Sequence, residues 1–178
     1  MNATEKTALL IIDAQVAMFT YEDFKLHDES AVLERLIRLA DRARAGGAPV
    51  FLIQQTSWDG DEFQEGSPTW ELHASLQPQQ SDIVLRKTTC DSFHQTALQE
   101  KLQNMGINRL VVAGMQTDFC VDTTVRRAAS LGYECILVRD AHSTFDRQTL
   151  TAAQIVAHHN DILSSGFARL QSAEEIVF

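Results

Sequence analysis

Three side chains able to do covalent chemistry sit at matching points of an alternating pattern: Asp13, Lys87 and Cys120. Asp13 closes the apolar run Ala8-Leu9-Leu10-Ile11-Ile12, and Lys87 closes Asp82-Ile83-Val84-Leu85-Arg86. Cys120 opens a helical stretch just past the turn Gly114-Met115-Gln116-Thr117-Asp118. Unpaired N–H groups and the dipole at a helix start favour a thiolate. The same N–H groups can hold an oxyanion when sulfur attacks a carbonyl. A carboxylate can take the thiol proton, and an ammonium can hold the two negative charges together. The set is equipped for nucleophilic acyl transfer. Each member also has a plainer reading: a turn-capping Asp, a solvated Lys, a Cys serving as a small buried hydrophobe. Cys90 and Cys135 fit that plainer reading, Cys135 within an apolar strand.

What would bring the three together is the pattern itself. Short, unalternating apolar runs fit strands buried on both faces. They fall at 8–12, 50–53, 82–86, 109–113 and 135–138, with a weaker one at 167–171. Between them run helical periodicities: Val32, Leu33, Leu36, Ile37, Ala40 and Ala43, stopped by Gly46-Gly47; then 96–104, 119–131 and 147–163. A short helix is expected near Trp70-Glu71-Leu72 within the long loop 56–70. Strict alternation of strand and helix predicts an α/β fold, a three-layer open parallel sheet with helices on both faces. In such sheets the site lies at the carboxyl ends of the strands, where Asp13, Lys87 and Cys120 fall.

Composition limits the partners. With 178 residues, 44% of them hydrophobic, the chain reads as one domain, 1–178, with a sizeable core. Fifteen basic against 24 acidic residues give a charge of −9, which disfavours nucleic acid and anionic membrane. No apolar run is long enough for a membrane span, and the polar start Met1–Thr7 lacks a signal-peptide pattern. An odd count of three cysteines without a signal pattern suits a reduced, cytoplasmic protein, and the lack of Cys-x-x-Cys disfavours a zinc ribbon or dithiol redox centre. The acidic residues of 22–34 and 59–65 read as solvated surface. A dinucleotide fold is poorly supported, since neither Gly-x-Gly-x-x-Gly nor a P-loop is present.

Four segments, in order, resemble the isochorismatase-like cysteine hydrolases: Leu10-Ile11-Ile12-Asp13-Ala14-Gln15 with Phe19; Arg86-Lys87 before Ser92-Phe93 and Thr96-x-Leu98; Val112 through Val121 with Thr124 and Ala128; and Asp140-Ala141-His142-Ser143-Thr144. The resemblance implies an Asp–Lys–Cys triad on Asp13, Lys87 and Cys120, and six parallel strands in the order 3-2-1-4-5-6. It also implies a cis peptide at Met115–Gln116 that aims the Gln116 N–H, beside that of Cys120, at an oxyanion. Assembly as a homodimer or higher homo-oligomer is implied as well. Nicotinamidases of this superfamily carry an Asp-x-His metal site after strand two. Here Gln54-Gln55-Thr56-Ser57-Trp58-Asp59-Gly60 stands there, so no metal and no cofactor are expected. Glu65 to Leu72 looks like the streptothricin-hydrolase-like branch.

Beside the triad, Phe19, Trp58, Trp70 and Phe93 are candidates for an aromatic wall around a small substrate, and Gln55 for a hydrogen bond to it. His142 reads as structural. Asp118 and Thr117 read as supports of the turn. The expected activity is hydrolysis of a small amide or N-carbamoyl C–N bond through a thioester, with loops 14–28 and 56–75 setting specificity. Vinyl-ether hydrolysis needs no thiol, so Cys120 argues against it. A silent binding member of the fold is argued against by the complete triad. A signalling receiver domain needs an acidic cluster after strand one, where Ala14-Gln15 stands.

Overall fold

The computed structural model describes residues 6–20 and 24–178. Residues 1–5 of the polar start, and Glu22 and Asp23 of the acidic stretch, lie outside the described residues. Six parallel strands, β1 (Thr7–Ile12), β2 (Val50–Gln55), β3 (Ile83–Lys87), β4 (Arg109–Met115), β5 (Glu134–Ser143) and β6 (Arg169–Gln171), form one open sheet in the order β3-β2-β1-β4-β5-β6. Connections run outward one way from β1 and the other way from β4. The crevice between those two strands is the point where ligands bind in open α/β sheets.

The strands are apolar on both faces because both faces are covered. On one side Leu9, Ile11, Leu52, Val111 and Ala113 pack under α1 (Glu29–Ala45), which turns Val32, Leu36, Leu39, Ala40 and Ala43 inward at helical spacing. On the other, Leu10, Ile12, Phe51, Ile53 and Val112 meet α2 (Leu98–Asn104), α3 (Asp122–Ser130) and α4 (Ala152–Ser164). Among the described residues no helix is long and apolar enough to cross a membrane.

Several boundaries differ from the sequence expectation, each for a physical reason. β2 continues through the polar Gln54 and Gln55, because Gln54 and Gln55 pair with Arg86 and Lys87. β5 extends past Arg139 and Asp140 to Ser143, since His142 and Ser143 pair with Gly114 and Met115 beyond a register shift. No helix forms at Trp70–Leu72. The Thr69 and Glu71 carbonyls instead accept from the amides of Ala17 and Val16, and Leu72 bridges Gln15. α4 starts at Ala152 rather than 147, set by a capping box between Thr151 and Gln154. Residues 146–150 are thereby left as a loop on the sheet's carboxyl rim.

Candidate active site

At the crevice, Asp13 follows β1 with φ of 48°, a left-handed conformation that Asp tolerates better than most residues. Its N–H is held by the Ile53 carbonyl at 2.9 Å. β4 comes close enough to β1 that only glycine fits at 114: a Cβ there would overlap the Ile12 carbonyl and sit 2.6 Å from the Ile12 nitrogen. After β4 the Met115–Gln116 bond is cis, and the chain makes a single π-turn, Thr117–Val121, before α3. In an α-helical turn the Gln116 carbonyl would take the Cys120 N–H. Here it takes those of Phe119 at 3.2 Å and Val121 at 3.1 Å, passing Cys120 over.

Lys87 joins what the backbone brings near. It ends β3, two strands from β1, so only a long side chain can cross β2 to reach the crevice. Its Nζ stands 2.7 Å from Asp13 Oδ2, 2.7 Å from Gln55 Oε1 and 3.2 Å from Cys120 Sγ. The ammonium thus donates to Gln55 and Cys120 and is ion-paired with Asp13. Asp13 and Lys87 are essentially sealed from water, and Cys120 is nearly so. The Asp13 carboxylate and the Cys120 thiol each bear on the other's protonation across this cluster.

Burial dominates the electrostatics. It pushes the Asp13 carboxyl up, with Lys87 only partly offsetting it. Burial opposes charge on Lys87, yet the combined pull of Asp13 and Cys120 leaves that group above its ordinary value. Burial first, then the Asp13 charge, drive the Cys120 thiol well up against the pull of Lys87. This direction runs against the ready thiolate that the helix start and Lys87 would favour. Taken together, these directions favour an ammonium on Lys87 and a proton on sulfur.

A sequence profile of the isochorismatase domain matches residues 7–172. The chain belongs to the isochorismatase family. Streptothricin hydrolase from Streptomyces noursei is 36% identical over 139 residues, 78% of this chain and 50% of that protein. A second streptothricin hydrolase from the same species matches over 55% of its length, so the chain spans about half of these curated relatives. Ureidoacrylate amidohydrolase RutB of Serratia proteamaculans is 31% identical, over 78% of this chain and 70% of that one. The crystal structure of an isochorismatase from Pseudomonas putida KT2440 superposes with a TM-score of 0.90 at 31% identity, covering 96% of this chain and 90% of that one.

The other expected site residues of this isochorismatase-family chain are divided by the structure. Gln55 is at the site, but its Oε1 serves Lys87. Gln116 sits at the mouth, its Oε1 accepting from Arg147 at 2.7 Å. Phe19, in the 3-10 turn Val16–Phe19, places its ring edge-on to His73. Trp58 is exposed on the 56–72 loop. Trp70 is buried, bonded through Nε1 to Thr56 and covered by the Arg86 guanidinium. Phe93 is buried and stacks on Tyr133. Trp70 and Phe93 therefore brace the site's surroundings through packing. A cavity of about 260 Å³ adjoins the cysteine turn, lined by Phe24, Gln116, Phe145, Asp146 and Arg147. A larger hollow, about 690 Å³, lies at the opposite rim against Thr7 and Val50. Among the described residues no group of three His, Cys, Asp or Glu side chains is placed to hold a metal ion.

Two supports escape a reading by residue type. Buried Gln15 binds Gln55 by both main-chain groups, at 2.8 and 2.9 Å, and the Trp70 carbonyl at 2.7 Å, fixing the strand end that carries the Lys87 acceptor. Arg147 pairs with Asp118 at 3.1 Å and lies over Phe119. Gln15 stands in the first family-like segment but carries no reactive group, and Arg147 stands in none of the four. Only a Gln directly after the Asp13 strand could have hinted at the first.

Proposed function

We propose that this chain is a cysteine hydrolase cleaving an amide or N-carbamoyl C–N bond of a small molecule. The observation that carries this reading is the buried ammonium of Lys87 joining carboxylate and thiol at 2.7 and 3.2 Å at the β1/β4 crevice. The streptothricin hydrolase and ureidoacrylate amidohydrolase relatives support it. Because the proton rests on sulfur, attack is general-base catalysed rather than the work of a preformed thiolate. As the C–S bond forms, Asp13 takes the thiol proton, its raised proton affinity suiting it to the task. The N–H groups of Cys120 and Gln116 receive the oxyanion, the first left unclaimed by the Gln116 carbonyl. The C–N bond then breaks, and Asp13 returns the proton to the departing nitrogen. Water attacks the thioester as Asp13 takes its proton. The C–S bond breaks, and the sulfur regains the proton. Lys87 stays charged throughout and steadies each anion in turn. The 260 Å³ cavity beside Gln116 is below the usual range for drug-sized ligands, which suits a small substrate group.

A panel of small amides and N-carbamoyl compounds, screened for ammonia release, tests the reading. Activity on at least one member is expected, lost in Cys120→Ala and cut roughly 10²–10⁴-fold in Asp13→Asn. Hydrolysis of a vinyl ether that survives Cys120→Ala would overturn it.

A further inference from the structure

The cysteine turn is gripped from the side away from Lys87 by the end of β5. Thr117 Oγ1, on the first residue of the π-turn, lies 2.8 Å from His142 Nδ1. His142 Nε2 lies 3.1 Å from Asn160 Oδ1 on α4, and Asn160 Nδ2 donates to the Arg139 carbonyl at 3.0 Å. Thr117 and His142 are buried.

The far end of this chain of bonds assigns every proton. The Arg139 carbonyl only accepts, so it takes the Asn160 amide hydrogen, and Asn160 presents its oxygen to His142. His142 Nε2 must then carry a hydrogen. Burial holds the imidazole down to about 4, so a second ring proton is absent at neutral pH and Nδ1 is a bare acceptor. Thr117 is left one role, donating its hydroxyl to Nδ1, and its rotamer is fixed by doing so. π-Turns are rare and favour functional sites. This one departs from the α-helical bonding that would consume the Cys120 N–H, and its first residue is the one tied to His142.

We propose that His142, as the neutral Nε2–H tautomer, is a positioning residue for Cys120, which holds the π-turn through the Thr117 hydroxyl so that the thiol stays between Asp13 and Lys87. The proposal rests on the reading of Cys120 as the nucleophile. A histidine that merely filled space would be indifferent to what Thr117 carries.

The test follows the pH midpoint of iodoacetamide alkylation of Cys120, by peptide mass spectrometry, in the full chain and in Thr117→Val and Thr117→Ser. Long-range proton–nitrogen NMR of His142 accompanies it. A hydrogen on Nε2 and none on Nδ1 is expected. Releasing the turn moves the thiol toward water, so Thr117→Val should lower the midpoint by about one pH unit or more, since the burial that raises it is relieved. Thr117→Ser keeps the hydroxyl and should keep the wild-type midpoint. Turnover surviving Cys120→Ala would end the nucleophile reading on which the proposal rests, while the Thr117 comparison reads the anchoring separately. A folded Thr117→Val with the wild-type midpoint, or a proton on Nδ1, would overturn the proposal.

Discussion

Lys87 is the residue on which the site turns, since its ammonium is ion-paired with Asp13 and hydrogen-bonded to Gln55 and Cys120. Asp13 and Lys87 act on the thiol with opposite sign, the carboxylate raising its proton affinity and the ammonium lowering it. Asp13→Asn should therefore move the alkylation midpoint of Cys120 down, and Lys87→Met should move it up, with folding checked by circular dichroism. Shifts of the same sign would mean that the three groups do not share one field. Their identities were legible in sequence because each ends or opens an element at the same rim. The net direction of their pKa values was not. Proximity of charges can be read from a fold rule, but the depth of burial that outweighs them depends on how loops close over the rim. For the same reason Gln55 was legible as a site residue, while its partner, the Lys87 ammonium, was not.

Among elements, β4 and β5 set the cysteine turn. Gly114 is where β4 touches the backbone of Ile12, one residue before Asp13. Gly114→Ala forces an overlap between two main chains and should cost at least about 3 kcal/mol, beyond ordinary overpacking, in urea unfolding. It should also part Asp13 from the turn. β5 contributes His142, whose folded value of about 4 lies below the ordinary 6.5 of the unfolded chain. Between these values the unfolded state binds the extra proton. Stability from burying the neutral ring is complete above pH 6.5 and is lost as pH falls toward 4, by about 3 kcal/mol for a shift of this size. Denaturant melts at pH 7 and pH 4.5 should show a loss that shrinks in His142→Gln. Asp140 and His159 bear on the same ring with opposite sign, so the comparison with the variant matters more than the raw loss. The length of β5 was hidden in sequence because Arg139 and Asp140 interrupt the apolar run, while the pairing that carries the strand onward is a tertiary fact.

For the whole molecule, the alternation of strand and helix gave the parallel sheet, and the resemblance to a family gave its order, because nothing in periodicity ranks strands laterally. The order then explains the location of the site: β1 and β4 are central neighbours whose connections diverge. The groups that meet at that crevice are a thiol, an ammonium and a carboxylate, with Gln54-Gln55-Thr56 where nicotinamidases would carry an Asp-x-His metal site. Hydrolysis should accordingly survive exhaustive chelation, and loss with EDTA restored by zinc or iron would contradict that expectation. The central claim is a covalent acyl group on Cys120. Rapid acid quenching during turnover of an amide from the panel, followed by peptide mass spectrometry, tests it directly. The account predicts the acyl mass on the Cys120 peptide, appearing and decaying with ammonia release. Undiminished ammonia release by Cys120→Ala, with no adduct on the wild-type peptide, would contradict it.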